Sequence, residues 1–226
     1  MDWTTVASLA TAGGTLILAI ATFASVRSAN RAARAAERSL LEGLRPVLMP
    51  SRPQDVAQKI TFIEKHFKLP GGGAVADADG DVIYLALSLR NAGNGIAVLH
   101  GWWFFPERLT ATDPGVFDHA PLEEFRRQNL DIYIAPGDVG FWEGALRDPA
   151  EDVHKAARRA IEARDPVTVE LLYSDHEGGQ RTITRFILTP RVTGGSSGET
   201  GGSPRETPGW YAMQTLHRNL DRPDPR

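Results

Sequence analysis

The chain has 226 residues, 25 basic and 28 acidic side chains, a formal net charge of −3, and no cysteine. The missing thiols exclude a disulfide framework and any thiolate metal site. Residues 46–226 hold 20 basic against 25 acidic side chains, which argues against a nucleic-acid surface, since that would be basic and clustered.

The first element is a run from Trp3 to Val26 that carries no charge over 24 residues. As a helix it reaches about 36 Å, enough to cross a hydrocarbon layer of about 30 Å with some tilt. Its strong apolar residues (Val6, Leu9, Leu16, Ile17, Leu18, Ile20, Phe23 and Val26) favour insertion by about 2 to 5 kcal/mol together. Seven hydroxyl residues and Gly13-Gly14 oppose this, although each hydroxyl can bond a carbonyl one turn back. Trp3 stands where an interfacial aromatic belongs. A cleaved signal peptide would want positive charge before the apolar run, and only Asp2 precedes it. A buried core helix rarely runs so far without a charge. A single membrane anchor over 1–26 is the leading reading, with the plasma membrane as its location.

Orientation follows from Arg27, Arg31, Arg34, Arg38 and Arg45, all within about 20 residues of the span, which the positive-inside rule places in the cytoplasm. The expected topology is amino terminus outside, carboxyl-terminal domain inside. Spacings of four, three and four put the first four arginines within about 60° on a helix. Ala29, Ala33, Ala36, Leu40 and Leu44 form the opposite face, so a basic amphipathic stem is expected over 27–44, stopped by Gly43 and Pro46. Trp3 and the arginine stripe are the candidate membrane-surface contacts. Anionic lipid headgroups would be the partner, at about 1 kcal/mol per basic residue. The alternative is a solvated face whose apolar back packs on protein. Small residues four apart (Ser8/Ala12, Ala10/Gly14) also permit helix pairing, hence a homo-oligomer.

From Arg45 to about Arg191 period-two segments dominate. The clearest is Val82 to Arg90, with Ile83, Leu85, Leu87 and Leu89 on one face. Ile96 to Phe105 follows after Asn91-Ala-Gly-Asn-Gly95, read as a hairpin or a Greek-key corner. Leu130/Ile132/Ile134, Val139 to Trp142, Val167 to Tyr173 and Arg181 to Leu188 continue the pattern; Val47 to Met49 and Ile60 to Ile63 are weaker. One helix is expected from an Asp148 N-cap through Pro149 to about Arg164, ended by Pro166. Leu69 to Gly80 and Glu107 to Pro121 read as irregular loops. Together these elements predict a mainly β chain: an antiparallel, immunoglobulin-like sandwich over 45–192 with one inserted helix. A flexible linker at 193–209 and a terminal strand and tail at 210–226 complete the chain. The terminal strand is expected to join the sheet; a docking peptide built on Trp210, Met213 and Leu216 is the alternative.

Chemical motifs fail on context. Gly93-Asn-Gly95 leads into a strand, where a dinucleotide fingerprint needs a helix, and Gly71 to Gly73 lacks the Lys-Ser/Thr of a phosphate loop. The six histidines show no zinc spacing. Ser174-Asp175-His176 has triad residue types, but neighbours on an extended strand point to opposite faces. No catalytic residue, metal or cofactor is therefore expected. Trp102, Trp103 and Trp210 are candidate ligand or partner-surface residues, with core packing as the default for the aromatic patch at Trp102 to Phe105.

On Arg45-Pro46, on Leu89-Arg-Asn-Ala-Gly-Asn-Gly-Ile-Ala97, on Tyr173 and Asp175 before a glycine turn, and on the Leu220 to Arg226 tail, the chain resembles uncharacterised single-pass bacterial membrane proteins of the actinobacterial kind. Leu89, Asn91, Gly93, Gly95 and Ala97 match their Leu-x-Asn-x-Gly-x-Gly-x-Ala pattern. The resemblance implies an N-terminal anchor, a basic stem and a β-sandwich, and adds nothing on mechanism. The function expected is a non-enzymatic, membrane-tethered interaction or scaffold module whose cytoplasmic sandwich binds a protein partner. A cell-envelope ligand-binding module with the sandwich outside is second, and a hydrolase third.

Overall fold

The computed structural model describes residues 2–109, 119–191 and 209–222. The chain divides into two compact units, one ending at Gly43 and the other beginning at Leu44. The first is a single unbroken helix, α1 (Trp3–Gly43), with no buried residue. At 1.5 Å per residue α1 is about 60 Å long, so a lipid-spanning part leaves a stem of about 25 Å.

The second unit is mainly antiparallel β with one helix, as its period-two patterning predicts. Its strands are β1 (Leu48–Pro50), β2 (Gln58–Thr61), β3 (His66–Leu69), β4 (Gly73–Asp79), β5 (Val82–Asn91), β6 (Ala97–Phe105), β7 (Arg126–Arg127), β8 (Tyr133–Ile134), β9 (Val139–Leu146), β10 (Val167–Ser174), β11 (Thr182–Pro190) and β12 (Trp210–Asn219). Ten of them form one sheet with the path β1-β5-β4-β12-β11-β10-β6-β7, β9 on the second edge of β5 and β8 on β6. β2 and β3 make a separate hairpin. The sandwich layers are thus the two ends of one curled sheet, which meet where Trp102 of β6 and Trp142 of β9 pack edge to face, centroids 5.4 Å apart. Between them lies the main core, with Leu85, Leu87 and Leu89 of β5 against Val169, Leu171 and Tyr173 of β10. The β2–β3 hairpin covers the other face of β4 and β5, packing Ile60, Phe62 and Leu69 on Tyr84 and Ala86. That is why β5 is buried on both sides.

Two expectations change, and one open alternative is decided. Gly73 to Asp79 forms the strand β4, where the sequence reads as a loop. Its alanines and glycine carry weak β propensity, and tertiary pairing to β5 on one side and β12 on the other overrides it. The connection from Asn91 to Gly95 is a corner, since β5 and β6 lie at opposite ends of the sheet path. The second helix, α2 (Asp152–Ala163), begins later than expected, because Asp148 Oδ1 accepts the Ala150 N–H and closes a turn instead of capping the helix. It sends Ala157, Ala160 and Ile161 into the core, and its last turn ends on Arg164 in the left-handed region.

β12 joins the sheet, pairing with β11 from Pro190↔Trp210 to Thr182↔Asn219. The expected 193–209 linker lies outside the described residues except for Gly209, as does most of the Glu107 to Pro121 loop.

Candidate functional site

On α1 the geometry adds to the sequence. Leu9, Leu16, Ile20, Phe23, Arg27, Arg31, Arg34 and Arg38 follow one another at spacings of three, four or seven, so bulky apolar side chains and guanidiniums share one meridian of the helix. Thr4, Ser8, Thr11, Thr15 and Thr22 lie on the opposite one. Four of these hydroxyls are satisfied within the helix: Ser8 donates to the Thr4 carbonyl, Thr11 to Ala7 and Thr15 to Thr11, each at 2.9 Å, and Thr22 to Leu18 at 2.8 Å. Leu16, Ile17, Leu18, Ile20 and Phe23 are each at least 61% exposed. The helix is long and apolar enough to cross a membrane. Trp3 and the four arginines are exposed too, leaving them accessible to a lipid surface.

In the second unit, residues from several strands converge on one place, where the segment Leu44 to Leu48 enters the domain. Asn91 is fully buried and uses every hydrogen-bonding position it has. Its Oδ1 accepts from the N–H of Val47 (3.2 Å) and of Gly93 (3.0 Å), and its Nδ2 donates to the carbonyls of Gly95 (2.7 Å) and Ile134 (3.0 Å). The Ala92 N–H closes the contact on the Val47 carbonyl at 2.8 Å. Gly93 and Gly95 are glycines because the incoming backbone lies on them. A Cβ at Gly93 would stand 2.2 Å from the Arg45 oxygen, and one at Gly95 1.7 Å from the Leu44 oxygen. Arg45 donates to Asn219 Oδ1 at 2.8 Å and pairs with Asp221 at 2.6 Å. The Tyr173 hydroxyl accepts the Leu48 N–H at 3.2 Å and meets Thr184, which meets His217. Asp175 accepts the N–H groups of Glu177 and Gly179, shaping the β10–β11 turn. Residues far apart in the chain therefore form one clasp around Leu44 to Leu48. Sequence reading singles out Arg45, Asn91, Gly93, Gly95, Tyr173 and Asp175 separately and misses Thr184 and Asn219, which carry no local signal.

The clasp is expected to weaken in acid. Burial, with the Arg45 charge behind it, pushes His217 below its ordinary 6.5. His100 is likewise lowered, by burial and then by Arg181. Burial alone would raise Asp221, but the hydrogen bond and charge of Arg45 outweigh it and hold the carboxyl below its ordinary 3.8. Below pH 6.5 the unfolded chain binds protons at these histidines that the folded chain refuses, so stability falls as pH drops through that value. Below pH 3.8 the Asp221 contribution goes as well. Thermal melting in detergent across the histidine window should show a falling midpoint, and the double variant His100→Gln/His217→Gln should flatten it. A wild-type midpoint that holds steady there would contradict the assignment.

The aromatic candidates do not form a surface. Trp102 and Trp210 are 4% and 3% exposed and belong to the main core, because alternation turns them inward on β6 and the start of β12. Arg164 lies over the Trp210 ring at 5.7 Å. A free docking peptide built on Trp210 is thereby overturned. Trp103 alone of the three is partly exposed, stacked on Phe105. Ser174 does find a histidine, His100, with Nε2 2.7 Å from Oγ. Ser174 is fully buried, however, and its hydroxyl donates to the Asp175 carbonyl; the Asp175 carboxylate is engaged in the turn. That pair braces β6 against β10 instead of presenting a nucleophile. His154 is buried and bonded to the Asp81 carbonyl. No group of three or more His, Asp or Glu side chains suited to a metal occurs among the described residues.

No family model, no curated protein and no solved structure matches the chain.

Proposed function

We propose that the protein is a membrane-tethered, non-enzymatic interaction module: α1 crosses the plasma membrane, its arginine stripe lies at the cytoplasmic leaflet, and the β domain presents itself to a protein partner in the cytoplasm. One observation carries the reading. α1 carries large apolar side chains, none of them buried, and the first charges after its apolar run are arginines on one face. Lipid removes the apolar surface from contact with water, and the guanidiniums prefer the leaflet that carries anionic headgroups. The small hydroxyl face is compatible with pairing of two copies of α1.

A reporter fused to the carboxyl terminus tests the orientation. Green fluorescent protein placed there should fluoresce and alkaline phosphatase should stay inactive. Active phosphatase would move the domain outside and favour the second reading, an envelope ligand-binding module.

A further inference from the structure

The curled sheet does not close. β9 pairs with β5 along one edge, and among the described residues no strand pairs with its other edge. At Gly140 the seam is shut by Ile134, whose side chain lies within 2.8 Å of where a Cβ would stand. Toward Leu146 it opens into a cavity of about 410 Å³ between β9, the segment Arg126 to Leu130, and the tip of the β2–β3 hairpin. Trp102 and Gly144 lie at its floor, and only a glycine fits there, since a Cβ would meet the Trp142 and Trp102 rings at 2.7 and 3.0 Å.

The banks carry features the fold does not use. Ile63 on one side is 92% exposed and Leu130 on the other 67%. Glu143 faces the cavity with a buried Oε2 that has no hydrogen-bond partner, and burial, then the Asp131 charge, raises its carboxyl. Arg126 is paired with Glu151 and Arg147 with Glu64. Arg127 is exposed and makes no ion pair among the described residues. An open strand edge repeats its donors and acceptors at the spacing of a main chain, and two aliphatic lips suit alternate side chains of that main chain.

We propose that the seam takes an extended segment of a partner protein, laid along the free edge of β9, with an acidic side chain against Arg127 and apolar side chains between Ile63 and Leu130. This rests on the interaction-module reading and names its site and the partner's chemistry. A hydrogen-bond donor on the segment would also satisfy Glu143.

The probe is a library of random displayed peptides, selected against the full chain in nanodiscs. Enriched peptides should combine β-forming residues with an acid and should slow amide exchange at Gly144 to Leu146. Ile63→Asp and Leu130→Asp, both at exposed positions that leave the core untouched, should each weaken binding about tenfold. Arg127→Glu should weaken it as well, and a lysine in place of the peptide's acid should restore it. Peptides that bind with unchanged affinity to these variants, or that protect other strands, would sink the seam while leaving the interaction module standing. An empty selection, or self-association of the chain broken by Ile63→Asp, would overturn the proposal too. The tether and its orientation are read separately by the reporter fusions.

Discussion

Gly95→Ala is expected to cost the β domain more than about 3 kcal/mol, a large share of the roughly 5–15 kcal/mol by which a domain is stable. The reason is geometric. The new methyl would sit 1.7 Å from the Leu44 oxygen and 2.8 Å from its carbonyl carbon, and neither atom is the end of a flexible side chain. Relief requires Leu44 to Val47 to lift off the corner, which breaks the Asn91 bonds to Val47 and Gly95. Asn91 would then be left with buried, unsatisfied positions, a further cost of about 1–3 kcal/mol. Gly43→Ala is the control, with nothing within 4 Å of its added Cβ. Urea melts of the solubilised chain, read by tryptophan fluorescence, should separate the two variants clearly. Equal midpoints for Gly95→Ala and wild type would mean that the clasp is not a close contact.

The second large effect concerns β12. Ending the chain after Arg191 removes a strand from the interior of the sheet path, between β4 and β11. It deletes Trp210 and Ala212 from the core, and loss of a buried tryptophan side chain alone costs about 3–5 kcal/mol. It also strips Arg45 of both Asn219 and Asp221. Since a domain is stable by about 5–15 kcal/mol in total, the truncated chain should not fold. Limited proteolysis should digest it throughout, whereas a chain ended after Arg222 should resist. A truncated chain with native protease resistance would show that β12 is dispensable.

Much of this architecture is legible in the residues, and the gaps have physical causes. β5, β6, β10 and β11 announce themselves because β-branched and aromatic residues alternate with turn residues between them. β4 does not, since Ala74, Ala76 and Ala78 look alike on a strand or in a loop, and only pairing with β5 decides. The α2 start is misread by three residues because Asp148 can cap a helix or close a turn, and the chain geometry selects the turn. The clasp is legible residue by residue but not as a unit. Arg45, Asn91, Tyr173 and Asp221 are far apart in sequence, and nothing local tells that they meet. Trp102 and Trp210 illustrate the same limit: an aromatic on a strand is inward or outward according to a register that the partner strands set.

We propose that α1 lies in lipid. Alkaline carbonate extraction of membranes from cells making the full-length chain tests it most directly. The chain should stay in the pellet and be released by detergent alone. Full-length chain in the carbonate supernatant would contradict the account.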